Sequence, residues 1–108
     1  MAGAAIMVIT QMPDRASALG LARSLVDSRI AACVSVGAPV ESLYHWRGKI
    51  ETAEEVPLVV KSHPDRYAEV EAAIRAGHPY ELPEIVAVPI THGFAPYLEW
   101  IAAETAAG

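Results

Sequence analysis

Residues 40–62 limit the fold of this chain more than any other stretch. Residues 40–46 and the run from Ile50 onward read as two strands joined through Arg47-Gly48-Lys49, a turn with glycine where positive φ is tolerated. Only the inner end, VPLVVKS (56–62), is apolar. Arg47, Lys49, Glu51, Glu54 and Glu55 crowd the outer end. The pattern predicts a hairpin longer than one small sheet needs.

The flanking sequence supplies the rest of a compact architecture. AAIMVIT (4–10) is apolar throughout and predicts a strand covered on both faces, broken at Met12-Pro13-Asp14. Leu19, Ala22, Leu25 and Val26 recur at helical spacing over 15–29, with Asp14 as N-cap. Residues 32–36 alternate as a second strand, with Cys33 and Ser35 on one side. Gly37-Ala38-Pro39 interrupts it, and proline there predicts an edge or a bulge. Pro64 opens a second helix, Tyr67, Val70 and Ile74 mark its inner face, and Gly77 fits its stop. A strand follows over 84–91 with Pro89 inside it, again an edge or bulge signal, then a last helix over 96–106.

The order β-α-β-β-α-β-α predicts an α+β fold: a ferredoxin-like βαββαβ unit plus a C-terminal helix, one domain over 1–108. Both early helices lie on one face of an antiparallel sheet. The other face needs a cover, so an oligomer is expected.

Bulk properties narrow the function. The 108 residues are 53% hydrophobic and 19% charged, which suits a globular chain. The net charge of −5 and the lack of a basic stripe argue against nucleic acid as partner. No apolar run reaches the roughly 18 residues of a membrane helix, and the N-terminus lacks the basic lead of a signal peptide, so a cytoplasmic protein is expected. Cys33 is the only cysteine, which excludes an internal disulfide. The chain carries no nucleophile elbow, phosphate loop or dinucleotide fingerprint, so it is not read as an enzyme.

Several segments, in order, resemble the CutA family of divalent-cation tolerance proteins. They are Arg29-Ile30-Ala31-Ala32-Cys33-Val34, Tyr44-His45-Trp46-Arg47-Gly48-Lys49-Ile50-Glu51, Glu54-Glu55, Lys61-Ser62, HPYELPEI (78–85) and Tyr97-Leu98-Glu99-Trp100-Ile101. The resemblance implies a homotrimer, similar in architecture to the PII signalling trimers, with long hairpins pairing between subunits. It also implies a link to divalent-metal tolerance, copper above all. Where the family often has two adjacent aromatics in the hairpin, this chain has His45-Trp46.

HPYELPEI is the stretch richest in chemistry. Pro79 and Pro83 fix two φ angles and push His78 and Leu82 out of helical geometry, so the segment is a rigid loop. One reading is a preorganised ligand wall. The other is a stiff connector in which His78 and Glu81 bond to backbone. Cys33 is either a small buried apolar residue or a soft copper ligand. The metal candidates are Cys33, His78 and Glu81, holding Cu(II) or another divalent cation, with no organic cofactor. Tyr80, Glu84, Lys61 and Lys49 are candidates for lining a ligand cleft. Tyr44, Trp46 and Trp100 are candidate interface anchors. His45, His63 and His92 lack zinc-motif spacing, although an oligomer axis gathers copies of one histidine.

The leading expectation is a trimeric protein of divalent-cation tolerance that binds copper. A second reading is a PII-like signalling trimer that takes a small anionic metabolite between subunits through its basic residues. A third is a scaffold for an unidentified protein partner.

Overall fold

The computed structural model describes residues 4–106; Met1 and the outermost ends of the expected 1–108 domain lie outside the described residues. The elements are β1 (Ile6–Met12), α1 (Arg15–Asp27), β2 (Cys33–Val36), β3 (Val40–Trp46), β4 (Lys49–Ser62), a 3-10 turn (Pro64–Arg66), α2 (Tyr67–Gly77), β5 (Val86–Pro89) and α3 (Ala95–Glu104). The sheet runs β2-β4-β1-β5, all antiparallel, with β3 also paired to β4. This is the expected ferredoxin-like arrangement with an added C-terminal helix.

Alternation along the two central strands builds the core. Ile6, Val8, Thr10 and Met12 of β1 face Ser62, Val60, Leu58 and Val56 of β4, and all eight are buried. Leu21 and Leu25 of α1 and Val70 and Ile74 of α2 close over them. Each such aliphatic side chain contributes about 1.5–3 kcal/mol by leaving water. Ser62 is buried as well, and its hydroxyl donates to the Ile30 carbonyl at 2.6 Å. The opposite side of β1, Met7, Ile9 and Gln11, is only half-buried. The strand is therefore covered fully on one face, not on both.

Element ends differ from the sequence reading for local reasons. β1 continues to Met12 because β4 keeps pairing with it there. Asp14 caps α1 as expected, accepting from the Ser17 N–H at 2.8 Å. That bond holds the Asp14 carboxyl below its ordinary pKa. The helix stops at Asp27, two residues early, and the chain turns through Arg29 at φ 62. Pro64 opens a 3-10 turn before α2 rather than α2 itself. Gly77 is the last residue of α2, and the stop comes from His78, held extended at φ −97 and ψ 131 by the proline that follows. β5 keeps only four of the eight expected residues and is an edge strand, as Pro89 required.

The hairpin turns on two residues with positive φ, Arg47 at 50° and Gly48 at 80°, while Lys49 already pairs with Trp46. Its inner end carries the expected bulge. Val36 faces Leu58 but Val40 faces Glu55, so the β2–β3 side holds one extra residue there. The Gly37 N–H donates to the Pro57 carbonyl at 2.9 Å, and Pro57 has no N–H to return. A Cβ at position 37 would sit 2.9 Å from the Pro57 ring. The hairpin then runs past the core, and the radius of gyration of 14.5 Å exceeds the about 13 Å of a compact chain this long.

Helix α3 docks where β1 begins, through Leu98 and Ile101 against Ala5, with an Arg29–Glu104 ion pair at 3.1 Å. It leaves Tyr97, Trp100, Val86 and Val88 exposed.

The Gly37→Ala variant is expected to lose about 1–3 kcal/mol in urea unfolding, because the rigid Pro57 ring cannot yield to the new methyl. Unchanged stability would mean that the bulge tolerates a side chain.

Candidate functional site

Alternate residues share a face, so Ser42, Tyr44 and Trp46 of β3 lie on the same side of the hairpin as Ala53 and Glu55 of β4. The segment 79–84 runs along this side. Between them lies a cleft of about 960 Å³, walled by Tyr44, Trp46, Glu55, Tyr80, Leu82 and Glu84 among others. That volume suits a small ligand.

His78 shapes the loop. Its Nε2–H donates to the Gln11 carbonyl at 2.6 Å, and its Nδ1 accepts the Tyr80 N–H at 3.2 Å. Both ring nitrogens are therefore engaged with backbone, in the neutral tautomer protonated on Nε2. The ring also lies 4.6 Å from that of Tyr80. In this arrangement His78 ties the loop to β1 and offers no free lone pair.

Glu81 meets Arg47 of the hairpin tip through contacts of 2.9 and 3.1 Å. Both partners are exposed, so the pair contributes at most about 1 kcal/mol. Arg47 also lies 5.2 Å from the Trp46 ring centroid. Tyr80 is half-buried, and its phenol is held above the ordinary range by burial first and by the Glu55 carboxylate next. Glu55 itself is only 9% exposed.

The remaining candidates lie elsewhere. Cys33 is half-buried on β2 opposite Lys61. Lys61 is four residues along β4 from Pro57, the partner of Gln11, so Cys33 and the His78 anchor stand about 13 Å apart along the sheet. The fold brings Glu81 near the cleft with Tyr80 and Glu84, but it does not bring Cys33 to them. Among the described residues no three His, Cys, Asp or Glu side chains form a group able to hold a metal ion. Lys61 reaches instead over Tyr97, 5.9 Å from the ring centroid, and neither Lys61 nor Lys49 lines the cleft. Tyr44 and Trp46 are cleft walls, while Trp100 stacks on Tyr97 at 5.6 Å on the exposed face of α3.

The sequence reading grouped Glu55 with the solvated tip charges. The available signal was its place directly before the apolar run 56–60, on the inner side of the hairpin.

The sequence profile of the CutA1 divalent ion tolerance proteins matches residues 6–104. The chain belongs to this family. The divalent-cation tolerance protein CutA of Pectobacterium atrosepticum is 36% identical over 97 residues, 90% of this chain and 88% of that protein. The chloroplastic CutA of Arabidopsis thaliana is 36% identical over 96 residues, 89% of this chain. The present chain spans only 53% of that longer protein's length. The crystal structure of CutA from Xylella fastidiosa superposes with a TM-score of 0.92 at 37% identity, covering 94% of this chain and 98% of that one.

Replacing His78 by Ala strands the Gln11 carbonyl and the Tyr80 N–H. A stability loss of about 1–3 kcal/mol and faster exchange of the Tyr80 amide are expected. An unchanged melt and an unchanged exchange rate would contradict the strut role.

A second expectation concerns alkali. A phenol pKa raised in the fold stabilises the protein below the ordinary tyrosine value of about 10, and the contribution is lost as pH rises through the folded value. Tyr67 shifts the same way, through its hydrogen bond to Glu71 at 2.9 Å. Thermal midpoints above pH 10 should therefore fall more steeply in the wild type than in Tyr80→Phe. Parallel curves would show that the Tyr80 environment does not act as described.

Proposed function

We propose that this CutA-family chain works as a homotrimer in divalent-cation tolerance, with copper the first ion to test, and that the ion is held by donors from more than one subunit. The observation that carries the reading is the incompletely covered sheet face. Val86 is 48% exposed, Trp100 41% and Tyr97 37%, next to half-buried Met7 and Ile9. Apolar surface of this kind calls for a protein cover. Three copies, rather than two, follow from the likeness to PII trimers.

Cys33 lies on this same side of the sheet, register-paired with Lys61. Around a threefold axis its copies would supply soft donors that one chain does not gather. His78 and Glu81 would first have to leave Gln11 and Arg47. The role is binding rather than catalysis. The anionic-metabolite reading is not favoured, because the cleft wall carries Glu55, Glu81 and Glu84 and none of Lys61, Lys49 or Arg47, the basic residues that reading offered.

Light scattering at micromolar concentration is expected to give three chains per particle, and Trp100→Glu to give monomers. Calorimetric titration with Cu(II) should saturate for the trimer and weaken at least about tenfold in Cys33→Ser. A monomeric wild type would overturn the reading. So would copper binding that survives both substitutions.

A further inference from the structure

We propose that α3 is a strap over one end of the incompletely covered sheet face, able to leave it while the core stays folded, and that Arg66 is the clasp that holds it shut. The consequence for assembly rests on the trimer proposed above; the strap itself does not.

α3 stands apart from the core. Leu98 and Ile101 pack on Ala5, with half-buried Ala32 and Ile90 around them. Among the described residues this cluster shares no member with the one beneath α1 and α2. The Ile90 N–H donates to the Ala5 carbonyl at 3.0 Å and extends the β1–β5 ladder, so Ala5 points to the same side as Met7 and Ile9. The strap therefore lies across the face that the core helices leave open. The chain enters it through residues 90–94, which are neither helix nor strand. Phe94, at its N-cap, offers it no side-chain hydrogen bond. A helix of ten residues is marginal in water on its own, so α3 owes its order to docking.

The far end is held by charge. Arg66 closes the 3-10 turn before α2, and its Nε–H donates to the Thr105 carbonyl at 2.7 Å. Its Nη1 meets Glu69 at 2.7 Å. The Arg66 side chain is only 17% exposed, which shelters the bond from water. The guanidinium sits at the carbonyl end of α3, where the helix dipole favours a cation. Thr105 is itself buried and turns its hydroxyl back to the Ile101 carbonyl at 2.8 Å. The second tie, Arg29 to Glu104, is exposed on both sides and weak. A charged hydrogen bond to a sheltered carbonyl is the costlier one to lose.

Tyr97 and Trp100 connect the strap to assembly. They stack on the outer side of α3, and Lys61 reaches over Tyr97 from the sheet. Only a docked strap sets this pair beside the face that further copies cover. An open strap withdraws it.

Native-state hydrogen exchange on the full chain, with light scattering on the same samples, tests the proposal. The Leu98 and Thr105 amides, bonded to the Phe94 and Ile101 carbonyls, report on the strap, and the β1–β4 ladder reports on the core. Strap amides are expected to exchange at least about tenfold faster than the ladder in the wild type, and at least about tenfold faster again in Arg66→Met, with the ladder unchanged. Trimers of Arg66→Met should dissociate at protein concentrations at least about tenfold higher. Arg66→Lys keeps a cation and a donor and should recover part of the protection. Glu104→Gln breaks only the exposed tie and should change strap exchange less than about threefold. Strap and ladder exchanging together in both proteins would overturn the proposal. So would equal acceleration in Glu104→Gln and Arg66→Met. A loosened strap in trimers of unchanged affinity would overturn the link to assembly. A monomeric wild type whose strap still exchanges separately would overturn the trimer and leave the strap standing.

Discussion

The missing N–H of Pro57 is the constraint on which the rest of the architecture depends. β4 is one continuous strand of fourteen residues, but its partner on one side is two strands in different registers. The change of register falls where Pro57 cannot donate. Inside that point β4 is sheet core, flanked by β1 and β2, with buried Leu58 and Val60. Beyond Val56, which still pairs with Met12 of β1, β4 has only β3, and the pair projects as a two-stranded arm whose residues are largely exposed. Without the bulge, Tyr44 and Trp46 would be turned away from the 79–84 segment, since a slip of one residue exchanges the two faces of β3, while Glu55 on the continuous β4 would keep its side.

A proline in a second place completes the same piece of geometry. Pro79 ends α2 by holding His78 extended, and that backbone lets the imidazole reach Gln11 on β1 while receiving the Tyr80 N–H. The loop is thereby fixed to the central sheet at one end and to the arm at the other, through Arg47 and Glu81. The first tie is part-buried and made of well-placed bonds. The second is solvent-exposed and weak. The cleft thus has a firm base at His78 and a yielding mouth at the hairpin tip.

Much of this was legible in the sequence. Hydrophobic alternation gave the central strands, Asp14 marked the start of α1, and the prolines at 39 and 89 announced a bulge and an edge. The stiffness of HPYELPEI was also readable, since φ restrictions are local. Meetings between distant residues were not. Nothing in the spacing of Cys33 and His78 tells that antiparallel register sets them toward opposite ends of the sheet. For Glu55 the one signal was its place directly before the apolar run 56–60, and that does not tell what covers it. The cover comes from residues 79–84, two dozen positions later, which line the same cleft. Helix ends slipped by a few residues because local backbone geometry fixed them, the turn through Arg29 after α1 and the 3-10 turn at Pro64 before α2.

The central claim is that the incompletely covered sheet face is completed by two further copies and that cation binding belongs to the assembly. Native mass spectrometry of the protein equilibrated with Cu(II) tests it most directly, because chains and ions are counted in the same particle. The account expects trimers carrying a fixed number of ions, and dissociated monomers in the same spectrum carrying none. Ion-free trimers, or monomers loaded as fully as the trimers, would contradict it.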